Sequence, residues 1–593
     1  MRTTLKISGE KMRIGFRTTS VLKTGASFFL FLFLMSCGSE NENSSQKNLA
    51  ALAALIPGNS AAFLNGNASA SPFQQGITAS QIDSAFQAEN DGSFTFNDSI
   101  VIRSGDGTSI AANLFQPKNL VSGQKYPTVI FVNSWALNEY EYIVPAAKLA
   151  KKGYIVLSYS TRGFGISGGL INTAGIKDRQ DLSAVLDWLR ANTQVDSSNI
   201  GISGISYGAG ISLIGVSFEP RIKTAVAMSG WGDLKRSLYG NDTPRLVWGL
   251  ILIGAGYFTG RMDPVIADNF TKLLSHNDIA GVTAWAAERS PASLVSELNA
   301  SGKPVYISSN FEDFLFNPNQ MLDYFASLTV PKKLDMNEGI HATAEIGGVL
   351  GLSNPIWDNA YDWFDFWLKG INNGIMMKPT VTFQKRFNGP RVTLPSWPSS
   401  TVSEKTYYLK PRTLFTDGKI SSTQNTNNLN TGILSGADTI ATTGIPLISD
   451  ILASHLEVPV TASLDWLSRI NGIVYESNSL SSVLKIRGKI FWKGQVSSSL
   501  GKANVNVYFY DVGSNGVGKL ITHGTASIYV SAFETTDLTV DLNAVAYDVP
   551  AGNRIAIALD TFDPQYAPPT ALVYGLDVKH NPSKQSTLSI QSE

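Results

Sequence analysis

The 593 residues include one cysteine and five histidines. A single thiol can neither close an internal disulfide nor build a Cys-based zinc cluster. The scattered histidines form no ligand-spaced set, so the sequence calls for no metal or other cofactor. Cationic excess is missing too. The 47 basic residues meet 47 acidic ones, and charged residues make up 16% of the chain, below the usual quarter. With no surplus positive charge to neutralise phosphates, a nucleic-acid binder is excluded. No fixed-period repeat is present. Apolar residues, at 43%, are plentiful, as are Gly (52) and Pro (25). That mixture excludes a mainly disordered chain, a collagen and a coiled coil, and the length calls for several domains.

Residues 1–36 read as an export signal. The first 23 carry six basic residues (Arg2, Lys6, Lys11, Arg13, Arg17, Lys23) and one acid, Glu10. An apolar run follows at residues 26–35 (ASFFLFLFLM). It falls short of the roughly 20 residues that a spanning helix takes, and suits a signal core. It ends in Leu34-Met35-Ser36-Cys37, which resembles a bacterial lipobox with Cys37 as the lipidated residue. Met1 and Met12 are both possible starts, and Met12 gives a signal of more typical length. Removing six of 47 bases and one of 47 acids leaves 41 against 46, a net charge of −5. A lipid on Cys37, not a basic patch, would then hold the mature chain on a membrane, at the periplasmic face or the cell surface.

Residues 37–90 read as a tether and a variable segment. From there to residue 375, strands alternate with helices. Residues 99–103 and 109–115 flank an Asp106-Gly107 turn, and residues 127–133 (PTVIFVN) read as a strand buried on both faces. Further apolar strands fall at 154–159, 200–203, 224–228, 304–308 and 332–336. Helical spacing runs over 139–152, 179–191 and 357–368. The alternation predicts a mainly parallel sheet of α/β type. Residues 232–300 interrupt it with helix-like segments and read as an inserted cap. Beyond 376 the pattern is all β, with runs at 407–409, 483–488, 504–511, 519–528, 537–542 and 554–559, as in a sandwich or jelly roll. The Thr/Asn/Gly-rich stretch 417–445 reads as a surface loop.

The strongest chemical signal is Gly204-Ile205-Ser206-Tyr207-Gly208, between a strand and a Gly/Ala-rich helix start. That is the setting of a nucleophile elbow, which exposes a serine hydroxyl at the top of a sheet. A hydroxyl needs a base, normally His oriented by a carboxylate, in the chain order Ser, acid, His. His276 lies in the cap, and His455, His523 and His580 lie too late for the sheet. His341 remains. The acid falls just past the strand at 304–308, where Glu312 and Asp313 both qualify; Asp323 and Asp335 are outsiders. One oxyanion donor is the backbone N–H of Tyr207, and the second comes from the loop Ser134-Trp135-Ala136.

These residues resemble the X-prolyl dipeptidyl-peptidase (peptidase S15) and cocaine esterase group of α/β-hydrolases. The likeness is carried by Ser160–Gly169 (STRGFGISGG), the 204–208 elbow, Asn310-Phe-Glu-Asp313, Glu338-Gly-Ile-His341, and two C-terminal stretches at 511–524 and 550–554. It implies an α/β-hydrolase domain over 91–375, with the cap at 232–300, and a C-terminal jelly-roll domain over 376–593. It selects Asp313 over Glu312 and implies a Ser206–His341–Asp313 triad. Two positions depart from the group. Ser160 stands where Asp is frequent, which puts one contact of Arg162 in question. Trp135 stands where the esterases place a tyrosine hydroxyl as oxyanion donor, so an indole or a backbone N–H would have to serve.

The chemistry expected is serine hydrolysis through an acyl-enzyme, on X-Pro peptides or carboxylic esters. A second reading makes the chain a non-catalytic surface lipoprotein that binds glycan or protein through its β domain.

Overall fold

The computed structural model describes residues 89–413 and 416–593. The export signal at 1–36, Cys37 and almost the whole 37–90 tether lie outside the described residues. A ten-stranded sheet comes first. Its strands are β1 (Phe94–Arg103), β2 (Ser109–Pro117), β3 (Tyr126–Val132), β4 (Ile155–Tyr159), β5 (Val195–Ile205), β6 (Ile222–Met228), β7 (Val305–Asn310), β8 (Lys332–Asn337), β9 (Val381–Gln384) and β10 (Arg391–Leu394). They lie in the order β1-β2-β4-β3-β5-β6-β7-β8-β9-β10. β2 runs antiparallel to β4, and β4, β3 and β5 to β9 are all parallel. This is an α/β-hydrolase sheet, and its parallel strands deliver their C-terminal ends, and the loops beyond them, to one edge.

The helices around this sheet are α1 (Ile143–Lys151), α2 (Ile176–Asn192) and α3 (Tyr207–Phe218), then the insertion α4 (Leu234–Leu238), α5 (Leu246–Thr259), α6 (Pro264–Leu274), α7 (Ile279–Glu288) and α8 (Val295–Ser301). After these come α9 (Pro318–Ser327), α10 (Thr343–Val349) and α11 (Pro355–Lys369). Alternation along β3 shows how both sheet faces are covered. Ile130 and Val132 join one core with α2, α3 and α9, while Val129 and Phe131 join another with α1 and α11. A strand buried on both sides must be apolar throughout, which is why β3 and β4 read as unbroken runs.

The sheet continues past residue 375. β9 pairs with β8 and β10 with β9. Each has four residues, too few for a clear alternation. The remaining strands form a distinct all-β sandwich with its own core, including Trp492, Phe509, Val540 and Leu588. Strand Leu484–Ser498 pairs with Thr535–Val549, Gly575–His580 and Thr587–Ser592. The surface loop expected at 417–445 holds two strands, Gly418–Ser421 and Leu429–Leu434. The second is an edge strand on Gly575–His580 with most of its side chains exposed, so its polar composition hid it. A short helix, Ile448–His455, was not foreseen. Among the described residues no helix is long and apolar enough to cross a membrane.

Candidate active site

β5 ends at Ile205 and α3 begins at Tyr207, so Ser206 alone makes the turn. It does so at φ 56° and ψ −113°, a conformation non-glycine residues seldom adopt. The flanking glycines are required sterically. A Cβ on Gly208 would sit 2.0 Å from the Val132 carbonyl oxygen, and one on Gly204 2.7 Å from the Gly208 carbonyl carbon. The Ser206 N–H donates to Met228 O at 2.9 Å, fixing the elbow between β5 and β6.

The loops after β7 and β8 bring Asp313 and His341 to this hydroxyl. His341 Nε2 lies 2.8 Å from Ser206 Oγ, and Nδ1 lies 2.8 Å from Asp313 Oδ2. Asp313 is fully buried, and its Oδ1 accepts the N–H groups of Leu315 (3.1 Å) and Phe316 (2.9 Å). Those bonds hold Oδ1 in place and leave Oδ2 for the imidazole. Nδ1 then carries the proton and donates it, and Nε2 accepts from the serine. Phe316 meets the ring edge-on at 5.1 Å, and Trp248 of the cap helix α5 does so at 6.0 Å.

Glu312, the other acid left open by spacing, faces elsewhere. Its Oε2 accepts the Gly339 N–H at 2.9 Å, and its Oε1 pairs with Arg386 at 3.2 Å. Burial pushes its carboxyl above the usual range. Asp335 accepts the Tyr306 hydroxyl at 2.6 Å, and Asp323 pairs with Arg236 at 2.8 Å.

The oxyanion donors sort themselves by what is already spent. The Tyr207 N–H is the first of α3, and the first four N–H groups of a helix have no partner within it. Its phenol is occupied: it donates to Asp178 at 2.9 Å and accepts the Ala174 N–H at 2.9 Å. The Trp135 indole, expected as a possible donor, is also committed, giving its N–H to Leu252 O of α5 at 2.9 Å. The Trp135 backbone N–H has no acceptor among the described residues. The contact of Arg162 left in question by Ser160 is made good elsewhere. Arg162 donates to Asp181 at 2.7 and 2.6 Å and to Asp106 at 3.0 Å. Beside Ser160 the missing carboxyl comes from buried Glu139, which the serine hydroxyl touches.

Sequence reasoning missed two carboxyls that brace the site, buried Glu345 and half-buried Glu141. Glu345 accepts Ser308 Oγ at 2.7 Å and Asn310 Nδ2 at 3.1 Å, and its only signal was a position four residues beyond His341 on a helix start. Glu141 accepts the Ser134 N–H at 2.6 Å, and nothing in its local sequence marked it.

A cavity of about 110 Å³ opens beside Ser206 under α5, α6 and α7. Trp135, Trp231, Leu252, Phe270, Trp285 and Phe316 are among its walls. Among the described residues its charged lining consists of Lys235 and Arg245, with no carboxylate. Among the described residues no group of three or more His, Cys, Asp or Glu could hold a metal.

Two family models match the chain. X-Pro dipeptidyl-peptidase (S15 family) covers residues 106–343, and the X-Pro dipeptidyl-peptidase C-terminal non-catalytic domain covers residues 373–592. A Bacillus anthracis protein assigned by name to the Xaa-Pro dipeptidyl-peptidases is 22% identical over 289 residues, 44% of this chain and 46% of that protein. The chain thus spans less than half the length of that relative. Among solved structures, a CocE/NonD family hydrolase from Staphylococcus aureus aligns with TM-score 0.65 at 12% identity, over 84% of this chain and 94% of that one. An alpha-amino acid ester hydrolase aligns with TM-score 0.65 at 14% identity, over 85% and 97%. At such identities these two alignments speak to the fold.

Proposed function

We propose that this chain, which matches the S15 family model over residues 106–343, cleaves an ester or amide through an acyl-enzyme on Ser206. The observation that carries this is the unbroken line Asp313–His341–Ser206, with both links at 2.8 Å. Ser206 Oγ attacks the substrate carbonyl as its proton passes to His341 Nε2. Asp313 holds the tautomer and stabilises the imidazolium. The Tyr207 and Trp135 N–H groups take the oxyanion. Nε2 then returns the proton to the departing alcohol or amine, and water repeats the cycle to free the acid.

Two substrate classes follow from different observations. The family models favour an X-Pro dipeptidyl peptidase. The cavity beside Ser206 favours a carboxylic ester with a neutral, apolar acyl group. A dipeptide's free ammonium calls for an anionic partner, and the walls supply two cations and no carboxylate. The same reading places the enzyme outside the cytoplasm on a Cys37 lipid. It rests on the lipobox-like 34–37 segment, and Cys37→Ser should move the protein from the membrane to the soluble fraction.

A fluorophosphonate should label the wild type and leave Ser206→Ala unlabelled. A matched panel of Xaa-Pro anilides and aromatic acyl esters should then show the esters turning over faster. Absence of label on the intact wild type would favour a non-catalytic binding protein. Preference for the anilides would restore the peptidase.

A further inference from the structure

Glu141 sits in the turn before α1, and its partner Ser134 links the two segments that make the oxyanion hole. Its Oε2 accepts the Ser134 N–H at 2.6 Å, and its Oε1 lies 2.6 Å from Ser134 Oγ. The same Ser134 hydroxyl lies 3.0 Å from Ile205 O. Ser134 precedes Trp135, and Ile205 precedes Ser206. A hydroxyl has one hydrogen, and a carbonyl and an ionised carboxylate can only accept. One hydrogen could serve both only as a weaker three-centre bond. A carboxylic acid resolves the conflict: Oε1–H donates to Ser134 Oγ, whose own hydrogen goes to Ile205 O.

We propose that Glu141 is a protonated carboxylic acid that ties the oxyanion loop to the nucleophile turn, and so positions the Trp135 N–H. This rests on the hydrolase reading given above. The next residue completes the tie, because Tyr142 OH accepts the Ile205 N–H at 2.8 Å. The surroundings suit a neutral acid. The groups hydrogen-bonded to Glu141 are Ser134 from the strand end and Tyr142 from its own turn, and no cation pairs with it among the described residues. Burial pushes its carboxyl up to about 7. Above that pH the carboxylate draws the Ser134 hydrogen to itself, Ile205 O loses its donor, and the loop parts from the elbow.

Glutamine tests this cleanly. Its amide can donate to Ser134 Oγ and accept from Ser134 N–H, the same pattern without titration. Glu141→Gln should keep kcat within about threefold of wild type at pH 6 and abolish an alkaline fall in kcat centred near 7, with KM unchanged. Glu141→Ala should lose about 100-fold in kcat, the scale of a displaced oxyanion donor, with KM within about twofold. Should the alanine variant fail to fold, the glutamine profile carries the test. Independently of activity, the infrared difference between wild type and Glu141→Gln at pH 6 should contain a protonated-carboxyl carbonyl band. A difference spectrum without that band, or an alkaline limb kept by Glu141→Gln, overturns the proposal. A wild type that no fluorophosphonate labels overturns the hydrolase reading instead, and the infrared band still decides the protonation.

Discussion

At the scale of the residue, adjacent acids have been given different work. Asp313 spends one oxygen on two backbone N–H groups and the other on His341, so its charge is fixed where an imidazolium would form. Glu312 braces the loop before His341 through Gly339 and ties it to Arg386. Replacing each acid with its amide separates the two roles. Asp313→Asn should lower kcat by about four orders of magnitude, because an amide disturbs the tautomer while leaving the shape intact. Glu312→Gln should keep kcat within about tenfold and lower the melting temperature, since it weakens a buried ion pair and leaves the triad untouched. Steady-state kinetics and thermal melts on both variants check this, and a larger kcat loss in Glu312→Gln would move the catalytic acid to position 312.

At the scale of the element, α5 forms the roof of the cavity and is held by an indole. Trp135 gives its N–H to Leu252 O and packs edge-on to Tyr207 (5.4 Å) and Phe164 (5.1 Å). Trp135→Phe keeps a ring there and deletes one hydrogen bond, worth about 1 kcal/mol. Turnover should stay within about threefold, because the backbone N–H at 135 survives. A drop of 100-fold or more would make the indole the oxyanion donor after all. The same element shows how far the sequence could be read. The strand–elbow–helix was legible because sterics leave glycine alone at 204 and 208, and β3 and β4 because burial on both faces demands unbroken apolar runs. The direction of the Trp135 indole was not legible. It depends on a helix more than a hundred residues away, and no local pattern encodes such a partner. Strands β9, β10 and Leu429–Leu434 were hidden for a related reason: short or edge strands bury too little to impose alternation.

At the scale of the whole molecule, the β domain packs against the loop that carries Asp313 and the helix after it. Asn319 of α9 pairs with the backbone at Leu542 (2.9 Å) and Ala544 (2.6 Å), and Phe314, beside Asp313, meets His523 edge-on at 4.7 Å. Acids are shielded from solvent in both domains, and that sets how stability responds to pH. Burial pushes the carboxyls of Glu141, Asp178 and Asp450 up to about 7. Their ordinary values are 4.5 for Glu and 3.8 for Asp. Between those values and 7 the folded chain keeps protons that the unfolded chain releases. Their contribution is therefore present in acid and is lost as pH rises through 7. Each group accounts for on the order of 1 kcal/mol between pH 6 and 8. Buried His523 and His580 work in the opposite sense. Burial lowers them to about 3 and about 4, so the unfolded chain takes up their protons first as pH falls below 6.5, and stability is lost in that direction. Between pH 6 and 8 the three carboxyls outweigh the two histidines, so stability falls across that window. Thermal melts at fixed ionic strength should give a melting temperature a few degrees higher at pH 6 than at pH 8. Asp178→Asn combined with Asp450→Asn should flatten the alkaline side. A melting temperature that rises from pH 6 to 8 would mean that these carboxyls are ionised in the folded protein and that their burial is relieved by groups other than protons.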